Sequence, residues 1–285
     1  PCLAPMLETP LSAAALIPAL AFATTPATDA PEFKGPSILD FSPPAIFFEG
    51  NEFFEMNRIM LLRLVIVAII FLLFWLGTRK MQLVPGRFQG TIEMGLEFVR
   101  KSIVEDLLGQ KDGKRFLPLI TTIFFLVLFM NLTGIVPGIN ISANSVIGMP
   151  LVLAVAAYIA FIWAGLRKHP WAFLRNALFP PGVPPFLYII VTPIEFVSMF
   201  VLRPVTLTLR LLMNMIVGHL LLVLFFSATA FFMVELGGWW IAASAVTLAF
   251  GTAFTFFEIL VSVLQAYVFA LLTAVYIQLA LADEH

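Results

Sequence analysis

Charge is what this sequence has least of. Its 285 residues include 16 basic and 17 acidic side chains, and charged residues make up 12% of the chain, about half the share usual in soluble domains. With 61% apolar residues and a mean hydropathy of +1.01, a globule of this length could not hide its apolar surface from water. An ordinary soluble protein is therefore excluded. A net charge of −1 supplies no basic excess for phosphates, which excludes nucleic acid as a partner. The single cysteine, Cys2, excludes an internal disulfide framework and a multi-cysteine metal site. The patterns GxxxxGK[ST], HExxH, GxSxG and GxGxxG are missing as well, and with them the usual local signatures of phosphate, zinc, acyl-transfer and dinucleotide sites. No cofactor and no metal is expected.

What the chain does contain is long apolar runs. Residues 1–57 are set apart by Pro-rich and acidic stretches and read as an N-terminal, extracytoplasmic extension. Within it Leu11 to Ala23 is too short to span a bilayer and resembles a signal-peptide core or a segment on the membrane surface. Residues 58–285 read as the membrane-embedded part, with spans over about 59–76, 116–136, 149–166, 186–236 and 239–281. Between the first two, residues 86–108 carry Phe88, Ile92, Leu96, Val99, Ile103 and Leu107 at spacings of three and four, against Glu93, Glu97, Arg100, Lys101, Glu105 and Asp106. That pattern predicts an amphipathic helix lying on the membrane. Lys and Arg cluster at 79–115 and 167–175, and the loop from Pro137 to Gly148 has none. The positive-inside rule therefore puts the N-terminus outside and the C-terminus in the cytoplasm.

The last two runs, separated only by Gly237-Gly238, are about twice as long as a bilayer requires at about 1.5 Å per residue. Each is either two short spans or one long, strongly tilted helix. No Gly or polar cluster between Arg203 and Asn214 could turn the chain in lipid, which favours a tilted antiparallel hairpin, bent at Pro193 and Pro204. Glu195, Arg203, Arg210, His219 and Glu258 interrupt it, and ionisable groups in a bilayer usually face protein or water. At about 100° per residue, Arg203, Thr206, Arg210 and Asn214 share one stripe and His219 lies on the opposite side, while Glu258, Ser262 and Gln265 share a face of the second helix. Folding at the glycine pair gives Arg210 and Gln265, Asn214 and Ser262, and His219 and Glu258 one shared register, although Arg210 and His219 cannot both point straight at the second helix. An imidazole changes charge close to neutral pH, so a His beside a Glu in a wet crevice can pass protons. A guanidinium cannot; Arg210 would be a fixed positive charge that favours ionisation of a carboxylate and blocks a free proton.

Pro204-Val-Thr-Leu-Thr-Leu-Arg210-Leu-Leu-Met-Asn214-Met-Ile-Val-Gly218-His219 and Glu258-Ile-Leu-Val-Ser-Val-Leu-Gln265-Ala-Tyr-Val-Phe together resemble subunit a of the F-type ATP synthase membrane sector. Val84-Pro85-Gly86-Arg87-Phe88-Gln89 and Met130-Asn131-Leu132 with Pro137 are similar to the same family, so the likeness runs from about Arg58 to His285. It implies an all-α integral membrane protein of about five membrane helices and one surface helix, acting as a stator with two offset aqueous half-channels. It also implies partners: a rotating c-ring, peripheral stalk b subunits and membrane lipid. On this likeness Arg210 meets the ring carboxylate and separates the half-channels, with Asn214 and Gln265 near it. His219 and Glu258 match the inlet pair, Ser262 lies with them, Glu195 and Ser198 match the cytoplasmic-side channel, and Asn144 falls near the inlet funnel. The chain would be no enzyme by itself, but the proton channel of a complex in the bacterial plasma membrane, or alternatively an organellar inner membrane.

Blander readings compete for several of these residues. Arg63 is expected to snorkel to the interface and Arg203 to meet a headgroup. Asn214, Ser262 and Gln265 could be interhelical hydrogen-bond glue. For the whole chain, the alternatives are a self-contained ion-coupled secondary transporter and a non-transporting membrane scaffold.

Overall fold

The computed structural model describes residues 33, 35, 45–47, 56–79, 86–136, 141–168, 173 and 185–281. The Leu11 to Ala23 run, Pro137-Gly138 and the first five residues of the proline-rich run from Pro180 lie outside the described residues. A short antiparallel ribbon, β1 (Ala45–Phe47) paired with β2 (Met56–Asn57), leads straight into the first helix. The rest of the described architecture is helical.

Helix α1 (Arg58–Thr78) buries only Ile59, Ile66 and Gly77. Between Arg63 and Thr78 its other side chains, such as Leu64 at 54% and Phe71 at 72% exposure, are apolar all round, as expected for a helix whose neighbours are mostly lipid. Helix α2 (Arg87–Val99) continues through a π turn (Arg100–Glu105) into α3 (Asp106–Leu132). Ile92, Val99, Ile103 and Val104 face inward, as the amphipathic pattern requires. Phe88 does not join them; it is 53% exposed, because it sits in the first turn with nothing packed over it. The charged side pairs locally: Arg100 Nε donates to Glu105 Oε1 at 2.7 Å and Lys101 Nζ to Glu97 Oε1 at 2.5 Å. The hydrogen bond from Lys101 holds the Glu97 carboxyl below its usual range.

Helix α3 is not straight. Gly109, at φ 68° and ψ −179°, adopts a backbone conformation that side chains disfavour, and there the surface helix gives way to the membrane helix. The boundary therefore falls at a glycine rather than in a loop, and the two helical segments abut. Helix α4 (Gly148–Lys168) follows.

The last part is one helical run interrupted by changes of pitch. It comprises a 3₁₀ turn (Pro185–Leu187), α5 (Tyr188–Val197), a π turn (Ser198–Leu202), α6 (Arg203–Phe231) and a second π turn (Phe232–Leu236). The first π turn leads to Pro204 at the start of α6, where the missing N–H of proline is tolerated. Gly237 and Gly238 then take φ of 57° and 58°, which reverses the chain into α7 (Ile241–Leu281, 41 residues). At about 1.5 Å per residue α7 far exceeds the roughly 30 Å of hydrocarbon, so it cannot stand upright in a bilayer.

Helices α3, α4, α6 and α7 make the core, with α3 against α7 the most extensive contact. Since lipid removes most of the hydrophobic drive between helices, close approach needs small residues. Helix α4 presents Ala154, Ala157 and Ala164 around Phe161, and α7 presents Ala266, Ala270, Thr273 and Ala274, all at most 2% exposed.

Candidate functional site

The hairpin register is fixed by three contacts between α6 and α7. The hydroxyls of Thr229 and Thr247 share a hydrogen bond of 2.9 Å. Nearer the middle, a methyl group on Gly251 would come within 3.2 Å of Phe225 Cβ, and one on Gly218 would collide with the Glu258 carboxylate. In each contact the two residue numbers sum to 476, the register expected from pairing at the glycine turn.

That register seats the Glu258 carboxylate over the α-carbon of Gly218, the residue before His219. His219 and Glu258 are both buried, at 9% and 5% exposure. Gly218 is a site residue that the motif reading passed over. Glycine inside a helix costs about 1 kcal/mol relative to alanine, so its place in mid-α6 was the available signal. One and two turns along α7 from Glu258, Ser262 and Gln265 continue the buried line at 0% and 7%. The Ser262 hydroxyl and the Gln265 amide nitrogen have no hydrogen-bond partner among the described residues.

Arg210 faces the other way. It is exposed on α6 between Leu209, Met213 and Val217, themselves 39%, 52% and 53% exposed, and among the described residues no hydrogen bond or ion pair engages it. Asn214, one turn on, is half-buried at the edge of this face. Helix α6 thus separates a permanent cation on its outer face from an imidazole and a carboxylate on its inner face, as its 3.6-residue period dictates.

The remaining candidates are placed elsewhere. Glu195, in α5, and Ser198, the first residue of the π turn after it, are half-buried; one turn before Glu195, Thr192 has a buried hydroxyl with no partner among the described residues. Arg203 corrects the headgroup expectation: its guanidinium lies over the rings of Phe161 and Tyr276, at 5.8 and 5.5 Å. Helix α6 starts with that side chain turned toward α4 and α7, where two aromatic faces can hold a cation. Arg63 corrects the snorkelling expectation, since Nε donates to Ala143 O at 2.9 Å and Nη2 to Val146 O at 3.3 Å. Asn144, in that same loop, is fully buried and donates from Nδ2 to Asn131 Oδ1 at 2.8 Å. It is bound to α3, away from the α6–α7 register contacts.

Residues 60–278 match the family model described as ATP synthase A chain. Among similar proteins, one of Rhodococcus erythropolis named ATP synthase subunit a is 50% identical over 92% of this chain and 95% of its own length. Proteins of the same name from Pseudarthrobacter chlorophenolicus and Hyphomonas neptunium are 39% and 41% identical, over 91% and 77% of this chain and 98% and 85% of their own. With five helices long and apolar enough to cross a membrane among the described residues and a match that spans all of them, the chain is an integral membrane protein and belongs to the ATP synthase A-chain family.

Proposed function

We propose that this chain is the proton-conducting stator subunit of a rotary ATP synthase in a bacterial plasma membrane, with its N-terminus outside and its C-terminus in the cytoplasm. The observation that carries the reading is Arg210, a side chain that stays charged, exposed on α6 beside the exposed apolar side chains Leu209, Met213 and Val217. Such a face is costly against lipid alone and calls for a partner that brings a negative charge. A ring of c subunits, each carrying a carboxyl at mid-membrane, is that partner. Peripheral stalk b subunits would hold the chain still against it.

The chemistry follows from where charge is cheap. A ring carboxyl crossing lipid is neutral, because burial disfavours the ionised form; beside Arg210 the ionised form is favoured, and the proton leaves. Glu195 and Ser198, on the turns after Thr192, carry that proton toward the cytoplasm. The carboxylate is reprotonated from the other side through His219 and Glu258, by way of Ser262, Gln265 and Asn214, with Asn144 further out on the same route. Because Arg210 does not release its proton, it closes the direct path between the two routes, and protons cross only as the ring turns. Nucleotide chemistry belongs to other subunits. Membership in a family named for a subunit of a complex does not fit a self-contained transporter, and a mere scaffold leaves the exposed cation of α6 unexplained.

Replacing Arg210 by Ala decides the matter. ATP-driven acidification of inverted membrane vesicles is expected to vanish while the complex still assembles. Near-normal coupled pumping by Arg210→Ala would overturn the reading.

A further inference from the structure

Where the apolar parts of α3 and α4 end side by side, two arginines meet on one indole. The Arg115 guanidinium lies over the Trp163 ring at 4.3 Å from its centre, and that of Arg167 at 5.3 Å. Arg115 directly precedes the buried Phe116, whose ring meets the same indole edge-on at 6.1 Å. Arg167 stands one turn after Trp163 on α4. Both arginines are exposed, and among the described residues neither has an ion pair or a hydrogen bond. The charge around them is mostly of one sign, with Lys111, Lys114 and Arg115 against Asp112 on α3, and Arg167 and Lys168 on α4. Asp112 is exposed and forms no ion pair among the described residues.

Two such distances from one ring centre keep the charges no farther apart than about 10 Å, the screening length at moderate salt, so they repel each other. Contact with the ring holds each guanidinium by its face, and its in-plane N–H donors stay free. Free planar donors on a permanent charge are the geometry that grips a phosphate. An anion between the two arginines would turn their repulsion into attraction, and no carboxylate among the described residues supplies it. Beyond the arginines, Trp163, Ile159, Val155 and Val152 follow one another at spacings of four, four and three, and all are exposed. At about 1.5 Å per residue this stripe is about 16 Å long, close to half the roughly 30 Å of bilayer hydrocarbon. A pair of cations above an apolar track one leaflet deep matches a lipid end to end. A free phosphate would use the cations and leave the track bare; an apolar partner helix would cover the track and leave the cations unpaired.

We propose that Arg115, Arg167 and Trp163 form a binding site for the phosphodiester headgroup of an anionic phospholipid, with an acyl chain lying along the exposed stripe of α4. The indole sets the spacing of the two guanidiniums, and Phe116 steadies the indole. The site uses no residue assigned to either proton route and stands whether or not that reading does.

The test uses whole complexes reconstituted in phosphatidylcholine vesicles with a trace of photoreactive lipid. The probe is phosphatidylglycerol or phosphatidylcholine, whose own cation neutralises its phosphate, each with the same diazirine-bearing chains. After illumination, labelling of the α4 peptide is read by mass spectrometry. The phosphatidylglycerol probe is expected to label it far more than the phosphatidylcholine probe. Each arginine should account for about fivefold of that preference. Arg115→Gln and Arg167→Gln should therefore each lower it by about fivefold, and the double variant should bring it close to one. Excess inorganic phosphate, with ionic strength matched by chloride, should leave the preference unchanged. If the double Gln variant fails to assemble, Arg115→Lys with Arg167→Lys keeps the charge, loses the planar stack on Trp163 and should show a clearly smaller preference. Equal labelling by the two probes, or no labelling because another chain covers the stripe, overturns the site. Displacement of the probe by inorganic phosphate overturns its assignment to lipid. A preference that survives both Gln substitutions, or is undiminished in the Lys pair, overturns the role of the two arginines.

Discussion

The surface helix and the last hairpin carry similar numbers of ionisable groups and treat them in opposite ways. On α2 and the turn that follows it, Arg100 pairs with Glu105 and Lys101 with Glu97 on the same helical segment, exposed to solvent or headgroups. In the hairpin, Glu258 and His219 are buried on facing helices and Arg210 stands exposed among apolar side chains. Charges paired with near neighbours in a wet place serve solubility and orientation, and are worth little individually. Charges set deep in a membrane protein are far more expensive to keep than charges in a wet place.

Substitutions sharpen this contrast in order of size. After Arg210→Ala, the next largest loss is expected from Gly218→Val, because the added side chain would occupy the space of the Glu258 carboxylate. ATP-driven pumping should fall to near background while the subunit remains in the membrane, and Gly218→Ala should fall between it and the native chain; normal pumping by Gly218→Val would mean that Glu258 need not sit there. Exchanging the proposed inlet pair, His219→Glu with Glu258→His, should retain more pumping than either single change. A double variant no better than the worse single one would deny that the two act together. Thr247→Val removes the hydroxyl contact with Thr229 and should weaken hairpin packing by roughly 1 kcal/mol, seen as a lower midpoint of thermal unfolding in detergent with pumping unchanged.

The smallest effect is expected on the surface helix. Lys101→Gln frees the Glu97 carboxyl to return to its ordinary range. A carboxyl held low contributes above its unfolded value and loses that contribution as pH falls through its folded value. At this exposed site screening leaves no measurable change in unfolding midpoint between pH 7 and pH 4 beyond that of the native chain. A clear acid sensitivity tied to Lys101 would erase the contrast between the two regions.

Several features of the site were legible from spacing alone. The 3.6-residue period put Arg210 and His219 on opposite faces of α6, and the glycine pair at 237 and 238 set a register that the contacts of Thr229, Gly251 and Gly218 reproduce. Long side chains were the ones misread. Arg63 and Arg203 each have several rotatable bonds and can reach headgroups, carbonyls or rings from one backbone position, so helical phase does not say which they find. Phe88 shows a similar limit, since a stripe on a helical wheel does not reveal where the packed surface ends.

The sequence by itself determined that the chain lives in a bilayer, that its charges divide between an amphipathic surface stretch and a few positions inside the last two apolar runs, and that those two runs fold back at a glycine pair. Those follow from composition and period, which are local properties. Only the tertiary structure decided that Gly218 makes room for Glu258, that the Arg203 guanidinium lies over two aromatic rings, and that Arg63 reaches 80 residues along the chain to hold Ala143. Each depends on which helix faces which at a given depth, and distances between facing helices are set by packing that no stretch of the chain encodes alone.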